Sequence, residues 1–164
     1  MNDRKTKTWL TNRIKGTVAE VIAEQLFISL GFKVFKFGME HSVPHSMEEI
    51  QQMDGKVAKN IRQMPDFIAL KNGKAFLIEV KYRSSGKFSI NDIKNSDVYP
   101  YKEAYFLLLS KRHIKCLSFR DLKKGKSFTE SCRNYLGSVK EFEIDKEIVI
   151  PYCKEALKFF QNID

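Results

Sequence analysis

Blocks of hydrophobic and polar residues along the chain predict alternating helices and strands. Apolar residues form one broad stripe at helical spacing over residues 17–30, and Gly31 follows as a stop signal, so we expect a helix at 16–30. Short runs rich in aromatic and β-branched residues lie between polar clusters and predict strands. Their expected positions are 32–37, 66–70, 75–83, 104–109 and 114–119.

The rest of the chain completes an α/β pattern in a single domain. A helix fits residues 128–136, a strand fits 139–144, and Pro151 suits the first position of a terminal helix. The length of 164 residues suits one hydrophobic core. We therefore expect one domain over residues 1–164, with a mixed central β-sheet flanked by helices.

An inserted segment at about 38–64 separates the first two strands. Six apolar residues in it recur every three or four positions: Met47, Ile50, Met53, Val57, Ile61 and Met64. This spacing predicts a helix, which Gly55 weakens or splits in two. A methionine-rich stripe is adaptable enough for a lid or a dimer contact, yet packing into the core is the more common use. His41 and His45 are unfavourable as a zinc pair because Pro44 interrupts any helix between them.

A hairpin in the middle of the chain brings two acidic residues together. Asn72-Gly73 lies between two apolar runs and predicts a two-residue turn, because both central residues of a type I′ turn need positive φ. Counting outward from this turn places Asp66 opposite Glu79, where Cβ atoms are about 4.5–5.5 Å apart and like charges repel. A positive group should compensate them, and Lys81 lies on the same strand face as Glu79.

The apolar neighbours of these acids predict that the hairpin is covered on both faces. Ile68 and Leu77 share the face of the acids, and the opposite face carries Phe67, Ala69, Phe76, Ile78 and Val80. Strands of this kind belong to the middle of a sheet, where carboxylates are unfavourable unless they are paired or bind a metal. Oxygen ligands suit Mg²⁺, and Mn²⁺ is the expected substitute. The alternative is a solvated hairpin face with ordinary surface charges.

At these residues the chain resembles a known superfamily of phosphodiesterases. Pro65-Asp66 followed by Glu79-Val80-Lys81 resembles the PD-(D/E)XK motif of restriction-endonuclease-like nucleases. Upstream, the segment from Lys15-Gly16 to Glu20 is similar to the start of the first helix in archaeal-type Holliday junction resolvases. The matching stretches cover residues 12–37 and 64–85. The inserted segment is longer than the corresponding connection in those resolvases.

The resemblance implies a restriction-endonuclease-like sandwich and a Mg²⁺-dependent DNA endonuclease, acting on branched, repair or restriction substrates. Asp66, Glu79 and the Val80 carbonyl would hold the metal, and Glu20 would act directly or through a coordinated water. Lys81 would orient the attacking water or stabilise the transition state. A homodimer is also implied, because junction resolvases make two symmetric cuts.

The position of Glu20 on the first helix supports its choice over the neighbouring acid. Glu20 falls beside Phe27 at the edge of the apolar stripe, whereas Glu24 lies farther towards solvent. An acid at the border of a packed face can turn inward towards a sheet. The alternative for Glu20 is a first-turn glutamate that complements the helix dipole.

The net charge of +9 favours a polyanionic partner such as DNA. The candidate phosphate-binding cations are Lys15, Lys71, Lys74, Arg83 and Lys87. Two other classes remain open, a non-catalytic DNA-binding module with the same fold and an interaction subunit that recruits a nuclease.

The cysteines and the hydropathy of the chain indicate where the protein works. Cys116, Cys132 and Cys153 are odd in number and widely spaced, which fits reduced thiols. No apolar run is long enough to cross a membrane and no secretory signal is visible. A cytoplasmic location is therefore expected. For Tyr99, Tyr101 and Tyr105, packing in the core is a commoner role than stacking on bases.

Overall fold

The computed structural model describes residues 3–37 and 46–162, which form an α/β fold. Within these ranges the helices are α1 (Asp3–Ser29), α2 (Ser46–Gln52), α3 (Lys56–Arg62), α4 (Phe119–Lys123) and α5 (Lys146–Gln161). The strands are β1 (Lys33–Lys36), β2 (Phe67–Lys71), β3 (Lys74–Tyr82), β4 (Tyr105–Leu109) and β5 (Ile114–Ser118). The five strands expected at 32–37, 66–70, 75–83, 104–109 and 114–119 are confirmed, with shifts of at most one residue at their ends.

The strands form one mixed sheet in the order β1-β2-β3-β4-β5. Neighbouring strands are antiparallel except for β3 and β4, which are parallel. A parallel pair needs a crossover connection, and residues 83–104 provide it. The central position of β3 explains why its side chains are apolar on both faces.

A separate hydrophobic core covers each face of the sheet. On one face, α1 and α5 pack against the hairpin through side chains that include Phe27, Leu26, Leu157 and Phe160. On the other face, the crossover, β4, β5 and α4 contribute Phe88, Tyr99, Phe106 and Phe119. Ile78 of β3 is fully buried in the first core, and Leu77 contacts the second. The expectation of a sheet covered on both sides is confirmed.

Helix α1 begins at Asp3, well before the residue 16 expected from the sequence. Its first turns bury little: Trp9, Leu10 and Ile14 are each more than half exposed, so no apolar stripe marks them. Local contacts support the helix instead, with the Arg13 guanidinium 5.4 Å from the Trp9 ring centroid. The expected stripe holds farther along, and Val21 and Ile28, which fall outside it at helical spacing, are each 46% exposed.

Three predictions for the last third of the chain were wrong. Residues 128–136 form no helix, because Phe128 pairs with Phe88 and Tyr135 pairs with Lys115 in isolated bridges. Residues 139–144 form no strand but a short 3₁₀ turn followed by Glu143 with φ of 49°. Helix α5 starts at Lys146 rather than Pro151.

The start of α5 has a capping residue that the sequence analysis overlooked. The Asp145 carboxylate accepts a hydrogen bond from the Glu147 N–H at 2.9 Å, which satisfies one of the free donors of the first turn. Pro151 then lies inside the helix, where it lacks the N–H that would bond to the preceding turn.

The inserted segment forms two short helices because Gly55, with φ of 107°, interrupts it. The Arg62 guanidinium ties the two together through hydrogen bonds of 2.7 Å from Nη1 to the carbonyls of Ile50 and Met53. Ile50 is buried, but Met53 and Val57 are 53% and 73% exposed. The split was expected, whereas the apolar stripe is only partly core.

Among the described residues, no helix is both long and apolar enough to cross a membrane. Cys116, Cys132 and Cys153 are free thiols, as expected, and Cys116 is buried. His41 and His45 lie outside the described residues.

Candidate active site

The central hairpin has the turn and the register that Asn72-Gly73 predicts. Asn72 and Gly73 have φ of 51° and 73°, and strand pairing runs from Lys71 opposite Lys74 to Phe67 opposite Ile78. Asp66 directly precedes β2, and its carbonyl accepts a hydrogen bond from the Phe37 N–H at 3.2 Å. One further step of the register places Asp66 beside Glu79.

Pro65 and Asp66 together leave the Val80 carbonyl without a strand partner on the β2 side. Continuing the register would place Val80 opposite Pro65, which has no N–H to donate. The Val80 N–H donates instead to Asp66 Oδ2 at 2.6 Å. Since the N–H and C=O of one strand residue point to the same side, the Val80 carbonyl also points towards Asp66. A carboxylate and a main-chain oxygen are thus adjacent at the end of the strand pair.

Glu79 and Lys81 form an ion pair at this point, on the face of β3 that carries Leu77. The Glu79 side chain is only 14% exposed. Burial raises the pKa of Glu79 to about 7, the attraction of Lys81 opposes this rise, and repulsion from Asp66 and Glu20 adds to it. Burial alone would lower the pKa of Lys81, but Glu79 and Asp66 outweigh it and raise the pKa. The site therefore has more negative charge than Lys81 can neutralise.

Glu20 belongs to the electrostatic environment of this site, whereas Glu24 does not. Repulsion from the half-buried Glu20 is among the causes that raise the pKa of Glu79. Glu24 forms an ion pair at 2.6 Å with Lys36, the last residue of β1. The preference for Glu20 over Glu24 agrees with this arrangement.

Tyr99 is a candidate site residue for which the sequence favoured core packing over stacking on bases. It is 4% exposed and contacts Tyr101, Phe106 and Phe119, as expected for a core residue. Its hydroxyl, however, has no hydrogen-bond partner among the described residues. Burial raises the Tyr99 pKa, and Glu79 and Asp66 raise it further, so the hydroxyl lies within electrostatic range of both acids.

Gln63, three residues before Asp66 in the chain, shows a similar feature. Its Oε1 is buried without a hydrogen-bond partner in the described part of the chain, while Nε2 donates to the Lys94 carbonyl at 3.4 Å. No periodicity in the sequence distinguishes such groups from ordinary core or loop residues.

Of the five cations expected to bind phosphate, Arg83 and Lys87 are exposed and follow the end of β3. The Arg83 N–H donates to the Leu109 carbonyl at 3.0 Å, and repulsion from its guanidinium opposes the rise of the Lys81 pKa. Lys15 is also at this end of the sheet but is only 9% exposed, with its ammonium 6.0 Å from the Tyr82 ring centroid. Its burial corrects the expectation of a surface cation.

Lys71 and Lys74 face each other at the turn end of the β2–β3 hairpin, and Lys74 is about 17 Å from Glu79 at the usual rise per strand residue. Lys71 Nζ donates to the carbonyls of Leu30 and Glu143, at 3.0 and 3.1 Å. Lys74 forms an ion pair with Glu143 at 2.8 Å. These contacts tie the turn to the helix layer, and neither lysine faces the acids, which corrects their assignment to the same interface.

The donor set at the acids fits a hard divalent cation bound through few protein ligands. Among the described residues, no group of three or more His, Cys, Asp or Glu side chains is arranged to hold a metal ion. Mg²⁺ typically uses one or two carboxylates and keeps several waters, so the oxygens of Asp66, Glu79 and the Val80 carbonyl are ligands of the right type and number. The excess negative charge of the carboxylates would attract the cation. Glu20 then fits a contact through water better than direct ligation.

Comparison with known protein families and with curated proteins finds no family and no protein that matches this chain.

Proposed function

We propose that the protein is a Mg²⁺-dependent nuclease that hydrolyses phosphodiester bonds in DNA, with Mn²⁺ able to substitute. The observation that carries the proposal is the half-buried Asp66–Glu79–Lys81 cluster, in which the Glu79 carboxyl group has a pKa raised to about 7. A pKa perturbed in this way, at the end of a rigid strand pair, is typical of functional sites. The order of these residues, Pro65-Asp66 and then Glu79-Val80-Lys81, also resembles PD-(D/E)XK nucleases, and the mixed sheet flanked by helices is compatible with their fold.

Each residue has a distinct part in the proposed reaction. Asp66, Glu79 and the Val80 carbonyl would hold the metal, which when bound would lower the pKa of a coordinated water and offset charge on the phosphate. The Lys81 ammonium lies beside these oxygens and stabilises the negative charge that develops on the scissile phosphate. Glu20 accepts a hydrogen bond from water at the edge of the site. Arg83 and Lys87 bind the neighbouring phosphates.

The experiment is cleavage of a DNA panel with Mg²⁺ and with EDTA. The panel contains a four-way junction, a flap, a nicked duplex and a single strand, with an RNA strand for comparison. We expect Mg²⁺-dependent cleavage that is lost in Asp66→Ala and in Glu79→Ala. Glu143→Ala, at the opposite end of the hairpin, is the matched control and should keep full activity. Full activity in Asp66→Ala or Glu79→Ala would contradict the assignment of these residues as the active site of a nuclease.

A non-catalytic DNA-binding protein is the main rival, because retained site residues do not prove turnover. Calorimetry separates the two. Intact DNA affinity without binding of Mg²⁺ or Mn²⁺ would favour the rival.

A homodimer is part of the proposal. Several apolar side chains stay exposed along α1 and α5, namely Trp9, Leu10, Ile14, Val21 and Phe159. A groove of about 500 Å³ runs between the two helices beside Phe159. Sedimentation should show a dimer for the wild type and a monomer for Phe159→Glu. A monomeric wild type at micromolar concentration would remove this part of the proposal.

A further inference from the structure

A second cavity, of about 660 Å³, lies between α5, the start of β5 and residues 135–138. Its floor is apolar and contains buried side chains of Ile114, Leu136, Val149 and Leu157. Ile150 adds an exposed apolar group at its side. The volume lies within the range of pockets that bind small organic groups.

The charges around this cavity are all of one sign. Arg112, Lys146 and Lys154 line it, and each is exposed without an ion-pair partner among the described residues. Lys158 also lines it but is paired with Glu155 at 2.7 Å. None of the described residues that line the cavity is acidic. An occupant should therefore be anionic at its rim and apolar or aromatic where it meets the floor.

Tyr135 gives the cavity a fixed aromatic wall. Tyr135 is 40% exposed, and its ring meets the His113 ring edge to face, with centroids 5.3 Å apart. The Lys115 ammonium lies 5.8 Å from the centroid of the Tyr135 ring, and the two residues also pair through their backbones. A ring held in this way needs little further ordering to stack on a planar ligand.

The cavity lies at the same end of the sheet as Lys81, but on the opposite face. Its floor residues belong to the first core, whereas Glu79 and Lys81 lie on the face of β3 that carries Leu77 and contacts the second core. Tyr82 pairs with Leu109 and Leu109 pairs with Ile114, so two strand spacings, about 10 Å, separate the end of β3 from the start of β5 at the cavity. The end of α5 is fastened there by a hydrogen bond of 3.2 Å from Gln161 Nε2 to the Lys111 carbonyl. An anionic chain held at the acids would therefore pass round this end of the sheet to reach Arg112.

We propose that this cavity binds an unpaired nucleotide of a single-stranded nucleic acid whose backbone continues into the Asp66–Glu79–Lys81 site. The base stacks on Tyr135 above the apolar floor, and Arg112 and Lys154 bind the flanking phosphates. Stacking on aromatic rings within a basic channel is how proteins bind single strands without sequence preference. A base inside an intact duplex is stacked on both sides and cannot enter. The inference rests on the proposed function and narrows its substrates to those with unpaired nucleotides.

Charge argues against a second copy of the chain as the occupant. The cations around the cavity would make two copies repel each other if this surface faced its own counterpart. An acidic peptide matches the rim but gains nothing specific from a fixed aromatic wall. Competition by polyglutamate, in the experiment below, distinguishes an acidic peptide from a single-stranded nucleic acid.

The test is fluorescence anisotropy with a labelled oligothymidylate and with a duplex of the same length, both in EDTA. The wild type should bind the single strand at least ten-fold more tightly than the duplex. Lys154→Glu, an exposed charge reversal on α5, should weaken single-strand binding by about ten-fold. Lys124→Glu reverses an exposed charge away from the cavity and is the matched control. Tyr135→Ala should cause a loss of similar size.

Three outcomes would overturn the proposal. They are equal losses in Lys154→Glu and Lys124→Glu, equal affinity of the wild type for single strand and duplex, and displacement of the single strand by polyglutamate at matched charge concentration. Ile150→Asp, at the side of the cavity, replaces Tyr135→Ala if that variant unfolds, because Ile150 is 55% exposed, and it should weaken single-strand binding in the same way. Binding in EDTA does not depend on cleavage. A protein that binds the single strand through the cavity but never cuts would contradict the nuclease assignment alone.

Discussion

The two ends of the β2–β3 hairpin carry similar residues in opposite electrostatic states. At the turn, Glu143 is exposed, and its hydrogen bonds from Lys74 and Asn72 lower its pKa. At the other end, burial raises the pKa of Glu79 to about 7 although Lys81 is paired with it. The turn end is balanced and holds the fold together. The site end is left with negative charge that a bound cation would neutralise, which is the physical basis for placing function there.

The largest expected effect is a difference in pH dependence between the two ends in metal-free protein. The pKa of Glu79 is raised from 4.5 to about 7 on folding. Folded protein therefore binds the proton more tightly, and stability falls as pH rises from 4.5 to 7, by at most about 3 kcal/mol. Glu79→Gln should flatten this slope in urea unfolding measured with EDTA.

Glu143 provides the comparison of opposite sign. Its lowered pKa means that its contribution to stability is present above pH 4.5 and is lost as the pH falls through the folded-state pKa. Glu143→Gln should change only the acidic limb and leave the slope between pH 4.5 and 7 as in the wild type. A wild type whose stability rises between pH 5 and 7 would contradict the electrostatic account of Glu79.

A second prediction compares the lysines of the two ion pairs. Lys81→Met leaves Glu79 and Asp66 uncompensated in a partly buried site and should lower the free energy of unfolding by about 2 kcal/mol at pH 8. Lys74→Met breaks an exposed pair and should change it by less than about 1 kcal/mol. Guanidinium unfolding of both variants gives the numbers. Equal effects would show that the site end is no more strained than the turn.

The smallest expected effect concerns two tyrosine hydroxyls near the site. Tyr101 Oη donates to the Asn60 carbonyl at 3.0 Å, so Tyr101→Phe should destabilise the metal-free protein by about 1 kcal/mol. The Tyr99 hydroxyl has no partner in the described part of the chain, so Tyr99→Phe should be neutral or stabilising. Thermal unfolding with EDTA distinguishes them. A loss in Tyr99→Phe as large as in Tyr101→Phe would show that water already satisfies the Tyr99 hydroxyl.

The features that follow from local rules were predictable from the sequence. Asn72 and Gly73 specify their turn through backbone conformation, and the turn then fixes the register up to Asp66 and Glu79. The apolar pattern on both faces predicted a covered sheet in the same way. Pro65 was interpreted only as part of a motif. Its missing N–H also explains why the Val80 carbonyl has no strand partner on the β2 side.

Features that depend on tertiary contacts were not predictable in this way. Lys71 has the sequence context of a surface cation, yet it binds the carbonyls of Leu30 and Glu143, which are distant along the chain. The burial of Lys15 beside Tyr82 and the position of the Tyr99 hydroxyl depend equally on how layers pack. The early start of α1 was missed because its exposed turns have no hydrophobic periodicity.

The most direct test of the central claim is a set of melting curves for wild type and Asp66→Asn, each with EDTA and with Mg²⁺. Asparagine keeps an oxygen that can accept the Val80 N–H, so the fold should survive, and the loss of one charge should stabilise the metal-free protein. In the wild type, Mg²⁺ at a hundred times its dissociation constant should add about 2.7 kcal/mol of stability. Asp66→Asn should lose this increase, and Glu143→Gln should retain it. An equal Mg²⁺ shift in wild type and Asp66→Asn would show that the ion is not held between these residues.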